Sequence, residues 1–290
     1  MGQSFIRQRH RTHTLENPME ERLHRRKVGG MSFLMGGDGS PLLLLHGVPG
    51  SAYTWLSVGS RLTTRFRVII PDLMGFGASD APAAGDDLED QAQAVRQLLA
   101  HLRITHLYLG GHDFGGALAL TLMRLYPELT LHGLVLAASN LFADSRLPWA
   151  LRMVGVPGLG HLVAWGMAGN GLGLRLIYES AVRDKEDLPW RDFRRHRAAS
   201  GLRQTRRAFR RSLAQRRLRY AEMEAALPHI HCSALVIWGD EDPYYAVAVG
   251  ERIRTALPDA VLKVYAFTGH FVPEERPIET AEDIILRFDQ

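Results

Sequence analysis

Residues 110–116 read GGHDFGG, a glycine-flanked corner with an aspartate at its centre. The apolar run THLYLGG leads into this corner and a helical pattern follows it, so the corner joins a buried strand directly to a helix. Such corners usually carry a serine nucleophile, but here the residue is Asp113. A carboxylate with a reference pKa of about 3.9 is already ionised at neutral pH, which suits displacement at a saturated carbon. We therefore interpret Asp113 as a candidate nucleophile, with glycines 111 and 115 placed where side chains would collide with so tight a turn.

Two further polar groups follow later strands. Asp242 lies in GDEDP after the apolar run ALVIW, and His270 lies in TGHFVPEERP after AVLKVYAF. Both side chains can converge with Asp113 above the sheet, in the chain order nucleophile, acid, histidine. Asp240 in the same loop is the alternative acid. We favour Asp242 because it lies further past the strand and is followed by Pro243.

The loop HGVPGS after the first buried strand supplies candidate backbone donors. It can direct the N–H of Val48 to the same point as the N–H of Phe114, giving two donors for a developing oxyanion. The alternative is an ordinary strand-to-loop turn. His46 and His112 flank these positions and are expected to orient loop backbone instead of transferring protons.

Six short apolar runs alternate with helical patterns from Val28 onward, which is typical of strands buried on both faces. An antiparallel hairpin with a turn at Gly29 and Gly30 is predicted to lead into them. Helical patterns occupy residues 86–102 and 115–127. The order predicts an α/β fold with a mostly parallel sheet flanked by helices. The predicted strands are PLLLLHG (41–47), FRVIIPD (66–72), THLYLGGHD (105–113), LHGLVLAAS (131–139), ALVIWGDED (234–242) and AVLKVYAF (260–267).

The alternation stops between residues 140 and 228, where the chain is helical and contains several tryptophans. We predict that this stretch is a helical cap inserted between two strands, over the carboxyl ends where open α/β sheets bind ligands. Residues 28–139 and 229–290 then form the core domain. Residues 1–27 form a basic N-terminal extension.

Composition places few limits on the cellular setting. The chain has 290 residues, a hydrophobic content of 46% and a charged content of 23%, which are globular averages. No apolar run approaches the roughly 18 residues that a membrane span needs. One cysteine allows no intrachain disulfide, so a cytoplasmic location fits best.

An arginine cluster between residues 191 and 219 raises the question of nucleic-acid binding, although the formal net charge is only +4. The cluster lacks interleaved aromatic residues and no nucleic-acid module surrounds it, so a solvated helix face is favoured over contact with an anionic partner. Neither a metal-binding cluster nor a dinucleotide fingerprint is present in the sequence, so no cofactor is predicted.

Five motifs in order resemble those of the α/β-hydrolases, specifically the aspartate-nucleophile branch that contains epoxide hydrolases and haloalkane dehalogenases. They are HGVPGS, PDLMGFGASD, GGHDFGG, LVIWGDEDP and GHFVPEERP, and the resemblance extends from residue 28 to residue 290. It implies Asp113 as nucleophile, His270 as general base, Asp242 as its orienting acid, and Val48 and Phe114 as oxyanion-hole donors. Some relatives place the acid after the preceding strand, where this chain reads AASN, and this favours Asp242.

The resemblance also bears on the bond that is broken. Dehalogenases of this branch have a tryptophan directly after the nucleophile, whereas Phe114 has no side-chain N–H to bind a halide. Many also have an asparagine where this chain has Val48, and the arginine of fluoroacetate-type relatives is absent too. Halide chemistry is therefore disfavoured, although Trp149, Trp165 or His161 in the predicted cap could substitute.

Epoxide opening needs an acid for the ring oxygen, and the resembling hydrolases supply it with cap tyrosines. Tyr178 and Tyr220 are the tyrosines of the predicted cap, and each could instead pack on a helix face. Trp55 could line the pocket or pack in the core. We predict an epoxide hydrolase that acts on a small hydrophobic substrate as a monomer or homodimer. The alternatives are a haloalkane dehalogenase-type hydrolase and a non-catalytic ligand-binding protein.

Overall fold

The computed structural model describes residues 22–81, 87–145, 149–154, 156, 158–168, 171–183, 196 and 216–288. The described strands form a single sheet in the order β1-β2-β4-β3-β5-β6-β7-β8. β1 and β2 pair antiparallel and the later strands run parallel, which confirms the predicted sheet. The strands are β1 (His24–Val28), β2 (Met31–Gly36), β3 (Ser40–Leu45), β4 (Phe66–Pro71), β5 (His106–His112), β6 (Thr130–Ala137), β7 (Ser233–Gly239) and β8 (Ala260–Tyr265).

Helices flank this sheet and occupy the described part of the segment between β6 and β7. They are α1 (Leu56–Leu62), α2 (Leu88–His101), α3 (Phe114–Leu125), α4 (Trp149–Val154), α5 (Leu159–Ala168), α6 (Gly171–Ala181), α7 (Arg216–Ala226), α8 (Val247–Ala256), α9 (Val272–Glu275) and α10 (Pro277–Phe288). Short 3-10 helices precede α1 (Ala52–Trp55) and follow α7 (Leu227–His229). We call α4 to α7 the insertion helices. The helical character predicted between the two strands is thus present.

The core lies on both faces of the sheet because successive residues of a strand point to opposite sides. In β3, Leu43 and Leu45 pack in the cluster that also contains residues of α2 and α3. Leu42 and Leu44 pack in the cluster that contains residues of α1 and α10. Burial on both faces explains why β3 reads as a continuous apolar run.

The two edges of the sheet differ from the central strands. The predicted hairpin is confirmed: Val28 pairs with Met31 across a turn in which Gly29 and Gly30 have φ of 54° and 83°. The sheet therefore begins at His24, within the predicted N-terminal extension. The prediction that every later strand is buried on both faces is wrong for β8, which forms the opposite edge and leaves Val261 and Val264 about two-fifths exposed.

None of the helices in the described residues is long and apolar enough to cross a membrane. The predicted arginine-rich helix face lies mostly outside the described residues. Arg219 is its described side chain, and its guanidinium pairs with the carboxylate of Glu89 on α2 at 2.8 Å. This ion pair therefore links α7 to α2.

Candidate active site

Asp113 lies at the corner between β5 and α3, where the backbone takes an unusual conformation. Its φ is 49° and its ψ is −117°, a region that residues other than glycine rarely occupy. A Cβ on Gly111 would come within 2.3 Å of the backbone of Gly115, and one on Gly115 within 2.2 Å of the carbonyl oxygen of Leu45. These contacts confirm that both flanking positions require glycine. The corner holds the Asp113 side chain at the carboxyl end of the central strands.

The two oxygens of the Asp113 carboxylate have different surroundings. The backbone N–H of Val48 donates to Oδ2 at 3.1 Å. Oδ1 instead faces Nε2 of His270 at 3.9 Å, a separation too long for a direct hydrogen bond. One oxygen is thus held by the predicted oxyanion loop, and the other is directed towards the predicted base.

The charge state of Asp113 reflects opposing effects. Burial raises its pKa, while the nearby His270 and hydrogen bonds from the backbone N–H groups of Phe114 and Val48 lower it. The net result is a pKa above the ordinary aspartate value. The side chain keeps 15% of its surface exposed.

His270 and Asp242 form a close pair. Nδ1 of His270 lies 2.9 Å from Oδ2 of Asp242, whose other oxygen accepts the backbone N–H groups of Tyr244 and Tyr245. Burial lowers the pKa of His270, but the charge of Asp242 and its hydrogen bond outweigh this, so the pKa is raised overall. The carboxylate fixes the tautomer in which Nδ1 carries a proton, and Nε2 can then accept one.

The other candidate acids are engaged elsewhere. Asp240 accepts the backbone N–H of Thr268 at 3.2 Å and so ties two loops together. Asp144, the first acid after β6, pairs with Arg252 at 2.8 Å in an exposed position. The geometry therefore favours Asp242 as the partner of His270.

This difference between the acids predicts unequal effects of two matched substitutions. Asp242→Asn should lower turnover by roughly 10³- to 10⁴-fold, because an amide cannot stabilise the imidazolium and favours the wrong tautomer. Asp240→Asn keeps an oxygen that can accept the Thr268 N–H and should change turnover by less than about tenfold. Steady-state kinetics of both variants would decide the matter. A larger loss in Asp240→Asn would identify Asp240 as the functional acid.

His46 and His112 bind backbone groups, as their positions predict. His112 donates from Nε2 to the carbonyl oxygen of His270 at 2.9 Å, and burial lowers its pKa to about 3. His46 donates to the Gly47 oxygen and accepts the N–H of Leu73, and burial lowers its pKa to about 4. Both rings are neutral at pH 7, so they organise loops without carrying charge.

The structure separates the two tyrosines of the insertion helices. Tyr178 on α6 packs at a tilt against Phe271 with ring centroids 4.8 Å apart, and Phe271 follows His270 directly. The Tyr178 hydroxyl donates to the carboxylate of Glu274 at 2.6 Å. Tyr220 on α7 is instead buried in the core cluster that contains α3 residues. Of these two tyrosines, Tyr178 is the one that contacts the residue next to the candidate base.

The remaining predicted pocket residues are Trp55, Trp165, His161 and Trp149. Trp55 is fully buried and its indole N–H donates to the Leu45 oxygen at 3.0 Å, which favours the core-packing interpretation over pocket lining. Trp165 is 51% exposed on α5, and His161 on the same helix is exposed. Trp149 begins α4, and its side chain lies outside the described residues. The exposed positions of Trp165 and His161 do not suit halide donors.

Sequence reasoning missed a buried polar cluster beside the pair of His270 and Asp242. Glu274 accepts the Tyr178 hydroxyl and lies 3.4 Å from Nε2 of His196, whose Nδ1 is 3.0 Å from the hydroxyl of Ser51. Burial raises the pKa of Glu274, but His196 and the hydrogen bonds outweigh it and leave the pKa lowered. Glu274 stands within the motif GHFVPEERP, but its partners come from distant segments.

Tyr244 was also missed. Its ring lies edge-on to His270 with centroids 4.9 Å apart, and its hydroxyl donates to the Ile177 oxygen on α6 at 3.1 Å. Burial raises its pKa to about 12, so it stays protonated at neutral pH. The tyrosine pair in the sequence PYY after Asp242 was the available signal, but the contact with α6 could not be predicted from it.

The family of this chain follows from a match that covers most of it. Residues 42–283 match the alpha/beta hydrolase family. The chain belongs to this family. An uncharacterized protein of Mycobacterium tuberculosis is 28% identical to this α/β hydrolase over 278 residues, covering 89% of this chain and 77% of the relative.

Two further likenesses involve proteins with assigned activities. A soluble epoxide hydrolase of a Corynebacterium species is 42% identical over 98 residues, which cover 33% of this α/β hydrolase and 34% of that enzyme. The crystal structure of haloalkane dehalogenase DbeA from Bradyrhizobium elkani superposes with a TM-score of 0.79 at 23% identity, covering 90% of this chain and 95% of that one. At that identity the structural likeness establishes the fold alone.

Proposed function

We propose that this α/β hydrolase belongs to the aspartate-nucleophile branch and hydrolyses epoxides to vicinal diols through an alkyl ester on Asp113. One observation carries the proposal: the Asp113 carboxylate occupies the corner with Oδ2 at the N–H of Val48 and Oδ1 facing His270. In this arrangement Oδ1 is the oxygen that can attack, whereas Oδ2 already accepts a backbone N–H. The high local identity to a soluble epoxide hydrolase supports the same reading.

In the first step, Oδ1 of Asp113 attacks a ring carbon of the epoxide. The C–O bond of the ring breaks, its electron pair stays on the ring oxygen, and an acid donates a proton to that oxygen. The raised pKa of Asp113 increases the basicity of the attacking carboxylate. Oδ2 becomes the carbonyl oxygen of the ester and keeps its place at the Val48 N–H.

In the second step, Nε2 of His270 takes a proton from water, and the resulting hydroxide adds to the ester carbon. Negative charge develops on Oδ2, where the backbone N–H groups of Val48 and Phe114 stabilise it. Collapse breaks the bond between this carbon and the alkyl oxygen, and the imidazolium protonates the leaving alkoxide. Asp242 holds the imidazole throughout, and the 3.9 Å between Nε2 and Oδ1 keeps the base from bonding directly to the nucleophile.

We further propose that residues 140–228 act as a cap and that Tyr178 protonates the ring oxygen. Tyr178 belongs to α6 and packs at a tilt against Phe271, the residue next to His270, which supports a position near the candidate base. Its hydroxyl must leave Glu274 to reach a substrate. Nε2 of His196 lies 3.4 Å from the same Glu274 oxygen and remains beside that carboxylate as a polar partner.

The contrast between the tyrosines predicts that Tyr178→Phe lowers epoxide opening by roughly 10²-fold or more, because a general acid contributes about that much. Tyr220→Phe serves as the matched control, and we expect less than about a threefold change because Tyr220 packs in the core cluster. Single-turnover rates of ester formation would check both. Equal losses in the two variants would count against Tyr178 as the acid.

The proposed function is tested by offering wild-type protein parallel panels of terminal and aryl epoxides and of bromoalkanes. We expect diol formation without bromide release, because Phe114 lacks an N–H and Trp165 is exposed. Bromide release without diol would overturn the epoxide assignment in favour of dehalogenation. Inactivity on both panels, together with ligand-induced stabilisation, would favour a non-catalytic binding protein.

A further inference from the structure

The C-terminal end of α6 is hydrogen-bonded directly to the loop that carries His270. The backbone N–H of His270 donates to the Ala181 oxygen at 2.7 Å. A Cβ on Gly269 would fall 2.2 Å from the same oxygen, so the loop packs against the helix end at a distance that excludes a side chain at this position. Tyr244 adds a bond from its hydroxyl to the Ile177 oxygen one turn earlier. The last turn of α6 therefore lies against the candidate base.

The side chain of Glu275 connects the His270 loop to the end of α6, and we call this contact the junction. Its two carboxylate oxygens accept the backbone N–H of Gly269 at 3.0 and 3.1 Å, and Oε2 also accepts the N–H of Arg183 at 2.8 Å. Gly269 precedes His270 in the chain, and Arg183 follows the end of α6. One carboxylate thus accepts hydrogen bonds both from the loop that carries His270 and from the segment that follows α6. The catalytic steps described above use no part of it.

We infer that Glu275 is a positioning residue, which fixes His270 against the end of α6 so that Nε2 keeps its place relative to the ester on Asp113. This inference rests on the proposed function. The demand on position is severe because a displacement of about 1 Å can cost roughly 10²-fold in rate. The same junction would transmit a movement of α6 to the base.

The charge of Glu275 acts on His270 together with the other groups around the ring. Asp242 and Asp113 are the other acids that face it, and Tyr244, Tyr245 and His112 contact it from the remaining sides. Burial lowers the pKa of His270, whereas Asp242, Asp113 and Glu275 raise it. Removing the charge of Glu275 should therefore lower this pKa and move the acidic limb of ester hydrolysis to lower pH.

Three variants of the full chain test the inference. Glu275→Gln keeps the length but loses the charge, Glu275→Asp keeps the charge but is one methylene shorter, and Glu282→Gln removes an exposed charge from α10 as a matched control. In substrate-free protein, the His270 Hε1 resonance, assigned by its loss in His270→Gln, should titrate at lower pH in Glu275→Gln only. Amide exchange at Gly269 should accelerate in both Glu275 variants.

The kinetic readout separates the two chemical steps. In pre-steady-state experiments, Glu275→Gln should slow ester hydrolysis by roughly 10- to 100-fold while ester formation changes little, because only hydrolysis uses His270 as base. Wild-type His270 titration and wild-type Gly269 exchange in folded Glu275→Gln would overturn the inference. If that variant does not fold, unaltered Gly269 exchange in Glu275→Asp would do so.

The outcomes for Glu275 and for the proposed function are distinguishable. Unaltered behaviour of the Glu275 variants, with an adduct still trapped in His270→Gln, refutes the positioning role and leaves the proposed function standing. Altered titration and exchange without any adduct supports the coupling of Glu275 to His270 and refutes the covalent mechanism.

Discussion

His270→Gln should accumulate a covalent adduct on Asp113 that the wild-type protein does not. Ester formation needs the carboxylate and an acid, whereas ester hydrolysis needs a base at Nε2, 3.9 Å from Oδ1 of Asp113. Loss of the base should slow hydrolysis by roughly 10²- to 10⁴-fold and leave ester formation largely intact. Intact mass spectrometry would show protein heavier by the full mass of the epoxide, because no leaving group departs.

His101→Gln is the matched control, since His101 is exposed at the end of α2. This variant should turn over like the wild type and show no adduct. Peptide mapping of the trapped protein should place the added mass on Asp113. If His270→Gln accumulates no adduct with a substrate that the wild type hydrolyses, the covalent route is excluded for that substrate.

Asp113→Asn should abolish turnover, with a loss of about 10⁵-fold or more, because a neutral amide is a poor nucleophile at saturated carbon. The amide retains the size of the side chain and an oxygen that can accept the Val48 N–H, so the corner should still fold. Turnover of the epoxide, measured on protein shown by mass to be free of deamidation, is the test. Asp38→Asn, in an exposed loop, should remain fully active.

A label experiment on the wild type extends this test. In a single turnover in H₂¹⁸O with enzyme in excess, the oxygen added to the diol should come from Asp113, and the label should appear in the Asp113 carboxylate. Direct attack of water on the epoxide would instead place the label in the diol. Activity retained by Asp113→Asn together with labelled diol would remove Asp113 from the mechanism.

Much of the fold follows from local sequence pattern. Central strands such as β3 and β5 are buried on both faces, so each reads as an apolar run that ends at glycine or a polar residue. The corner at Asp113 was predictable because the turn itself brings Gly111 against the backbone of Gly115. The contact of Gly115 with the Leu45 oxygen comes from β3 and follows from the strand order. β8 was harder because the same apolar run serves a central strand or an edge, and strand order decides between them.

The candidate site likewise contains residues that the sequence could predict and contacts that it could not. Asp113, Asp242 and His270 could be grouped because parallel strands deliver their carboxyl ends to one edge of the sheet. The contacts of Glu274 with Tyr178 and His196 could not be predicted from the sequence, because they depend on how the insertion helices pack on the core. Trp55 illustrates a related ambiguity: its place after the oxyanion loop suits a pocket, but its N–H is used by the backbone of β3.

The positive φ of Asp113 has a consequence for stability. A residue other than glycine in this region costs the folded state on the order of 1–3 kcal/mol, and that free energy is released when the chain unfolds. This cost is large relative to the net stability of a typical domain, which is only about 5–15 kcal/mol. The packing of the surrounding core therefore has to offset the strain at this corner. Substitutions that strengthen the protein without harming its chemistry are best sought away from it, at exposed positions such as those along β8.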